Sequence, residues 1–327
     1  MGIIKVKQWR IVSVLLIVMF AFLTGCTSDQ EEKSANKDRS KSKDNTSEAY
    51  PITVVDGTGK DVVIEKEPKT IVSLVPSITE TAFALGLGKK VIGVSKYDNY
   101  PEEVKDIDKV GAFDINVEKI LSLAPDLALV TTSHQTKHGD ALELLKKAGI
   151  TVVVVNEATS FDEVYKSITL IAKTTGTEEK AKEIISEMKQ RMAEIKEKAK
   201  AVKTKKRVWV EVSPSPDIFT TGKGTFMHEM LEAVQAINVA GEQEGWVKFT
   251  EEEIVAFKPE VIITTYGYFV ENPRDGVLSR TGWAEVPAIK NKQVLDVDND
   301  MVTRPGPRLI DGIETLGKLI YPEVFGE

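Results

Sequence analysis

A repeated motif constrains the fold of this chain more than any other feature. Residues 116–132 read "NVEKILSLAPDLALVTT" and residues 250–265 read "TEEEIVAFKPEVIITT", which aligns Pro125 with Pro259. In both copies a glutamate stands seven positions before the proline, an acid follows it directly, and an apolar run ends in two threonines. A short helix that leads into a buried strand, once in each half, predicts two lobes of similar construction.

Short β-branched runs alternate with helical stretches along the rest of the chain. The clearest runs are "TIVSLV" (70–75), "VIGVS" (91–95), "TVVVVN" (151–156), "RVWVEVS" (207–213) and "KQVLDVD" (292–298). Strands that are separated by helices favour mostly parallel sheets. We therefore predict an α/β fold of two Rossmann-like lobes, an N-terminal lobe at 50–160 and a C-terminal lobe at 207–327.

The segment between the two lobes, residues 161–206, has a helical pattern. It contains one glycine and no proline, and its apolar residues Ile184, Ile185, Met188 and Met192 recur at helical spacing among charged residues. Such a pattern is typical of an amphipathic helix. We predict a bridging helical segment on which both lobes rest.

The N-terminus has the pattern of an export signal. A basic stretch precedes an apolar run at 11–22, which is shorter than the ~20 residues that a membrane span needs. Small residues then lead into Cys26 in "LTGC", which resembles the lipobox of bacterial lipoproteins. We expect residues 1–25 to be a signal peptide, and we expect Cys26 to carry a lipid that anchors the protein to the outer face of the cell membrane.

Cys26 is the only cysteine of the chain, so disulfides, a cysteine nucleophile and cysteine metal ligands are excluded from the folded body. Residues 26–49 are almost devoid of apolar side chains and should form a disordered tether. The formal net charge of −7 argues against nucleic acid or an anionic membrane surface as the main partner.

Five stretches together resemble the family of ABC-transporter substrate-binding lipoproteins for cobalamin, haem and ferric siderophores. They are "KTIVSLVPSITETAFALGLGKKVIGVSKYDNYP" (69–101), "VEKILSLAPDLALV" (117–130), "GITVVVVN" (149–156), "GWVKFTEEEIVAFKPEVII" (245–263) and "TRPGPRLIDGIETLGKLIYP" (303–322). The resemblance implies the class III periplasmic-binding-protein fold, in which one long helix bridges two α/β lobes that close little on the ligand. It also implies a monomer without enzymatic activity or a cofactor of its own, which delivers its ligand to a permease dimer driven by a cytoplasmic ATPase.

The same resemblance gives the repeated glutamates a role. In the family, glutamates at the motif positions of Glu118 and Glu252 contact arginines of the two permease subunits. Taken singly, each glutamate could simply stabilise the first turn of a helix, where a carboxylate interacts favourably with the helix dipole. The paired register favours docking, although Glu251 and Glu253 leave the choice within the second copy open.

The ligand site is expected in the cleft, at loops that follow the strands. The candidate ligand-binding residues, taken from loop position and from the resemblance, are Tyr97, Phe113, Trp246, Tyr266, Tyr268, Asp300 and Arg304. Trp246 and "SKYDNYP" favour cobalamin, whereas Thr131 stands where the cobalamin receptor has a tryptophan. Ferric siderophore or haem is therefore the alternative; an anionic siderophore would call for cleft arginines, for which Arg304, Arg274 and Arg280 are candidates.

Other chemistries have weaker support in the sequence. Ser77 and Glu80 fit a capping box rather than a ligand contact. His134 and His138 have the spacing of a zinc pair on a helix, but we predict an exposed loop there and no metal site. A surface-tethered hydrolase is the alternative from another class, but the chain lacks a G-x-S-x-G elbow and a recognisable nucleophile beside a histidine.

Overall fold

The computed structural model describes residues 50–112 and 114–326, which belong to one compact unit. The predicted signal peptide, the tether, Cys26 and Phe113 lie outside the described residues. Within the described part of the chain, no helix has the length and apolar character that a membrane crossing requires.

The N-terminal lobe is built on a parallel sheet. Its strands are β1 (Ile52–Val55), β2 (Asp61–Ile64), β3 (Ile71–Ser73), β4 (Val91–Val94), β5 (Asp108–Lys109), β6 (Leu127–Thr131) and β7 (Thr151–Val155). Its helices are α1 (Pro76–Ala84), α2 (Val117–Leu123) and α3 (Thr132–Lys147), with 3-10 turns at Gly88–Lys90 and Glu102–Asp106. Five strands pair in the parallel order β5-β4-β3-β6-β7, and β1 and β2 form an antiparallel hairpin. Helices cover both faces of the sheet, which explains why β6 is fully buried and is apolar up to its last residue, Thr131.

The predicted bridging segment contains two helices. They are α4 (Phe161–Thr175) and α5 (Glu178–Ala199), separated at Gly176, whose φ of 71° favours glycine and ends α4. The 22-residue helix α5 is the long element between the lobes, while α4 packs against α5 and against β1 and β7. The segment is therefore helical from Phe161 to Ala199, with a break at Gly176 that the sequence pattern did not indicate.

The C-terminal lobe repeats the plan of the first. Its strands are β8 (Arg207–Glu211), β9 (Ile218–Thr221), β10 (Ile237–Asn238), β11 (Trp246–Phe249), β12 (Val261–Thr264) and β13 (Val294–Asp296). Its helices are α6 (Phe226–Ala233), α7 (Glu251–Phe257), α8 (Pro273–Leu278), α9 (Pro287–Lys290), α10 (Asn299–Thr303), α11 (Leu309–Ile320) and α12 (Pro322–Phe325). Four strands form a parallel sheet in the order β10-β8-β12-β13, and β9 pairs antiparallel with β11.

One hydrophobic core crosses from one lobe to the other. A single cluster of buried side chains includes Ile71 of β3, Ile168 of α4, Met188 of α5 and Val208 of β8. Because α4 and α5 contribute to the same cluster as both sheets, the lobes are joined by continuous apolar packing. This packing holds the two sheets in a fixed relation.

The repeated motif forms the same structure in both lobes. Helices α2 and α7 end at Ala124 and Lys258, both in the left-handed conformation, and the chain enters the central strands β6 and β12. The acid that follows each proline then accepts hydrogen bonds at the start of a neighbouring strand. Asp126 accepts from the backbone of Lys69 and Thr70, and Glu260 accepts from the backbone N–H of Arg207.

Candidate functional site

The carboxyl ends of the two sheets meet across a buried ionic contact. Glu80 of α1, in the first lobe, accepts hydrogen bonds from Arg304 at 2.8 Å and from Arg308 at 2.6 Å, both in the second lobe. The Glu80 side chain is almost fully buried. A buried carboxylate needs such partners, because an unpaired charge in a protein interior is strongly unfavourable. The predicted capping box at Ser77 and Glu80 was wrong, because α1 begins without a side-chain cap and Glu80 serves this inter-lobe contact.

A cavity of about 540 Å³ opens at the carboxyl edge of the first sheet. Its walls come mostly from the residues that follow β3, β4, β6 and β7 and from the start of α3. Ser167 and Ile171 of α4 and Pro305 of the second lobe complete the lining. Apolar side chains such as Leu74, Ile78 and Val155 line part of it, and Tyr97 and Asn156 add polar atoms. The volume lies in the range of about 300–1,000 Å³ that is usual for small-molecule sites, and the position is where open α/β sheets bind ligands.

Two histidines line this cavity from helix α3. His134 is 8% exposed, and its Nδ1 faces the Thr131 backbone N–H and hydroxyl in a capping box. Burial lowers the pKa of His134, and the nearby His138 adds to this effect. His138 is half-buried and interrupts the helix with non-helical backbone angles. The prediction of an exposed loop was therefore wrong, since both histidines belong to a helix and face the cavity.

The first-lobe loop after β4 carries Tyr97, which is 45% exposed and lines the cavity. The second lobe holds this loop in place. Arg304 donates to Asn99 at 2.7 Å and to the backbone oxygen of Tyr97, and Asn99 donates to Asp300 at 2.7 Å. Asp300 and Arg304 also form an ion pair at 2.9 Å. Both predicted ligand residues therefore lie at the cleft, where they already position the loop that carries Tyr97.

The carboxyl edge of the second sheet is filled by a polar cluster. Glu211, at the end of β8, is fully buried and pairs with Arg280 at 2.6 Å. Tyr266 and Trp209 donate to the same carboxylate at 2.6 and 3.2 Å. Burial first, and then the Glu211 charge, raise the pKa of the Tyr266 hydroxyl. Tyr266 was predicted to contact ligand, but it is 2% exposed and supports Glu211 instead.

Two other predicted aromatics are exposed. Trp246 is 51% exposed and Tyr268 is 74% exposed, and the Tyr268 ring contacts Phe269 with centroids 4.8 Å apart. Trp246 begins strand β11 and pairs with Thr221 of β9, so the prediction of a loop position was wrong. Neither Trp246 nor Tyr268 lines the first-lobe cavity.

The two repeated glutamates occupy equivalent places. Glu118 lies in the first turn of α2 and Glu252 in the first turn of α7, and both are exposed. Each helix turns directly into the strand that follows, so its first turn points toward the carboxyl edge of its sheet. Glu251 accepts from Trp283 and Glu253 caps α7, whereas Glu252 has neither a hydrogen bond nor an ion pair with the described residues.

Among the residues that the structure describes, no group of three or more histidine, cysteine, aspartate or glutamate side chains is placed to hold a metal ion.

The sequence analysis missed Glu80 as an inter-lobe residue and the two histidines as cavity residues. The distance of three residues from Thr131 to His134 could have indicated a helix start. Nothing local points to the pairing of Glu80 with arginines 224 and 228 positions away.

The family model described as periplasmic binding protein matches residues 71–301, and the chain belongs to that family. The chain is 48% identical over 314 residues to the uncharacterized ABC transporter substrate-binding lipoprotein YvrC of Bacillus subtilis, covering 95% of this chain and 97% of that one. It is 28% identical over 246 residues to a vitamin B12-binding protein of Vibrio cholerae, covering 75% and 86%. A crystal structure of a possible iron-binding protein from Staphylococcus epidermidis superposes with a TM-score of 0.71 at 36% identity, covering 78% and 100%.

Proposed function

We propose that this chain is the extracytoplasmic substrate-binding component of an ABC importer and that its ligand is cobalamin. The observation that carries the proposal is the cavity of about 540 Å³ at the carboxyl edge of the first sheet, with exposed Tyr97 beside it. Cobalamin is larger than the drug-sized ligands that such cavities enclose. One part of it therefore enters the cavity while the rest lies against the mouth of the cleft.

The relatives support both parts of this proposal, the role in an ABC importer and the choice of cobalamin as ligand. The Bacillus subtilis relative is named an ABC transporter substrate-binding lipoprotein, and it aligns over nearly the whole of this chain. The Vibrio cholerae relative is named a vitamin B12-binding protein. We also propose that a lipid on Cys26 anchors this chain to the membrane and that it delivers its ligand to a permease that a cytoplasmic ATPase drives. The name of the Bacillus subtilis relative, a lipoprotein of an ABC transporter, supports this proposal.

Ferric siderophore or haem is the second candidate. The possible iron-binding protein from Staphylococcus epidermidis favours it, and so does Thr131 at the place of a stacking tryptophan. The charges at the cleft argue against an anionic siderophore. Of the candidate arginines, Arg280 pairs with Glu211, and Arg304 pairs with Glu80 and Asp300. Only exposed Arg274 keeps its side chain free of such pairs among the described residues.

Tryptophan fluorescence tests the choice of ligand. Among the described tryptophans, Trp209 and Trp283 are buried and Trp246 is exposed, so quenching that is lost with Trp246 reports on ligand bound near that exposed ring. The full chain in detergent is titrated with cyanocobalamin, hemin, a ferric hydroxamate and a ferric catecholate, and Trp246→Ala is titrated in parallel. We expect saturable quenching by cyanocobalamin alone, weaker in the variant. Saturation by hemin or a ferric siderophore, without cyanocobalamin binding, contradicts the cobalamin assignment.

We further assign permease docking to Glu118 and Glu252. They are exposed carboxylates at matching places, one in each lobe, and both point toward the edge at which the lobes meet. Glu251 and Glu253 are already engaged within the second lobe, which leaves Glu252 as the available member of its triplet. Interface charges of this kind steer encounter and fix orientation more than they add affinity.

A further inference from the structure

His138 is an imidazole without a partner in the cavity of the first lobe. No hydrogen bond or ion pair joins it to any described residue, and its nearest aromatic neighbour is His134, with ring centroids 6.4 Å apart. His138 has non-helical backbone angles, and it therefore interrupts the regular hydrogen bonding of α3. Because His138 lines the cavity and is not engaged by a hydrogen bond or an ion pair with the described residues, this imidazole is a candidate for ligand contact.

His134, in the same cavity, differs from His138 because its ring is hydrogen-bonded within the protein. The His134 Nδ1 accepts from the Thr131 N–H at 3.3 Å and lies 2.9 Å from the Thr131 hydroxyl oxygen. The His134 ring is therefore already engaged by the protein through Nδ1. His138 is the cavity imidazole whose nitrogen lone pair is available.

The composition of the cavity limits which metal this lone pair can bind. A free ion would need three or more protein ligands, and the described residues provide no such cluster. A metal that a planar macrocycle already holds by four nitrogens leaves only axial positions open, and one imidazole is then sufficient. On the proposed function, we propose that His138 coordinates the metal of the macrocyclic cargo at an axial position.

The step is a ligand exchange without oxidation or reduction. In aquocobalamin, the bond from cobalt to the axial water breaks, the bond from cobalt to the imidazole nitrogen forms, and the water leaves for solvent. Neutral imidazole supplies the electron pair, and the oxidation state of cobalt does not change. Cyanocobalamin holds its axial cyanide firmly and binds in the cleft without this bond. The receptor therefore favours cobalamin forms whose axial ligand exchanges.

Visible spectroscopy of the bound cargo tests the proposal. The full chain in detergent is mixed with aquocobalamin or cyanocobalamin, and the spectra are compared with a standard that is prepared from aquocobalamin and free imidazole. We expect bound aquocobalamin to match the imidazole standard and bound cyanocobalamin to keep its free spectrum. In His138→Gln the match should be lost, and aquocobalamin should bind at least ~10-fold more weakly, because even an outer-shell partner of a metal is worth about that much. Cyanocobalamin, which does not form the axial bond, should lose less affinity than aquocobalamin in the same variant.

Two controls separate ligation from folding. His228→Gln removes an imidazole from the second lobe and should leave the spectrum unchanged, because His228 lies on α6 and bonds Asn238. Circular dichroism of each variant checks its fold.

The outcomes also separate this proposal from the proposed function. If wild-type protein binds both cobalamins and bound aquocobalamin keeps its aquo spectrum, the axial bond is refuted while cobalamin binding stands. If neither cobalamin binds, the ligand assignment falls, and the cobalt bond falls with it. A hemin complex whose imidazole-ligated spectrum disappears in His138→Gln supports the axial role and shows that the cargo is haem.

Discussion

The carboxyl edges of the two sheets are built from the same motif but end differently. In the first lobe, β6 leads into Thr131 and the histidines of α3, and a cavity opens there. In the second lobe, β12 leads toward Tyr266, which closes on Glu211 and Arg280. The first edge can therefore receive a ligand in its interior, whereas the second offers a rigid wall with exposed aromatics. The two edges therefore differ through the few residues that follow each central strand, although both strands belong to the same motif.

The largest expected effect is on ligand uptake, and it comes from the two glutamates of the repeated motif. Glu118→Ala combined with Glu252→Ala should abolish cobalamin uptake by cells, because on the proposed docking role both charges that would orient the receptor on the permease are lost. Cobalamin affinity of the purified variant should be unchanged, since neither side chain lines the cavity. Uptake of labelled cobalamin and fluorescence titration measure the two quantities.

A matched control keeps the total charge change equal. Glu187 on α5 and Glu323 on α12 are also exposed helical glutamates, and their double alanine variant should transport normally. Normal uptake by the Glu118 and Glu252 double variant would show that the shared glutamates have only a helix-stabilising role. If only one of the single variants, Glu118→Ala or Glu252→Ala, lost uptake, the two lobes would contribute unequally to docking on the permease.

The next largest effect lies at the closed edge of the second lobe. Glu211→Ala should lower the free energy of unfolding by about 3–5 kcal/mol, because it leaves the Arg280 charge buried without its partner. Tyr266 and Trp209 lose their acceptor as well. Urea unfolding monitored by circular dichroism measures the change. A loss below about 1 kcal/mol would mean that water or another carboxylate readily replaces Glu211, and the edge would then not be rigid.

Tyr266→Phe and Tyr97→Ala sharpen the contrast between the edges. Removing the Tyr266 hydroxyl should cost about 1.5–3 kcal/mol of stability, the usual value for a hydrogen bond to a charged group, and should leave cobalamin affinity intact. Tyr97→Ala should instead weaken cobalamin binding and leave the free energy of unfolding nearly unchanged, since the exposed Tyr97 ring lines the cavity and contributes little to the core. Unfolding and binding are measured on both variants. A Tyr266→Phe variant that is stable but binds poorly would return Tyr266 to the ligand site.

Local pattern predicted the parts of the fold whose causes are local. The strands at β3, β6, β7, β8 and β12 follow from apolar runs, and the repeated motif follows from register. The α/β class and its parallel sheets were confirmed, and so was the family.

The errors arose where the partner is distant in sequence or unusual in type. Glu80 fits a capping pattern locally, and only the fold brings Arg304 and Arg308 to it. Tyr266 reads as a strand-end aromatic, and its burial depends on Glu211 and Arg280 from two other segments. Helix α3 was missed because a histidine, not a glutamate, completes its capping box.

The smallest expected effect compares the acids that follow the two prolines. The ammonium of Lys66, together with the backbone N–H groups of Lys69 and Thr70, lowers the pKa of Asp126 from 3.8 to about 2. Glu260 accepts one backbone hydrogen bond, from Arg207. Asp126→Asn should therefore cost about 1 kcal/mol at neutral pH, and Glu260→Gln should cost less, because the first carboxylate accepts more hydrogen bonds.

The dependence on pH tests the cause of this difference. Because the folded-state pKa of Asp126 is depressed, its contribution to stability is fully present above about pH 4 and is lost as the pH falls through about 2. The stability gap between wild type and Asp126→Asn should therefore narrow between pH 4 and pH 2 in urea unfolding experiments. A gap of constant size over that range would mean that the shape of the Asp126 side chain, rather than its charge, ties β6 to β3. The amino edges of the two lobes would then be more alike than their charges suggest.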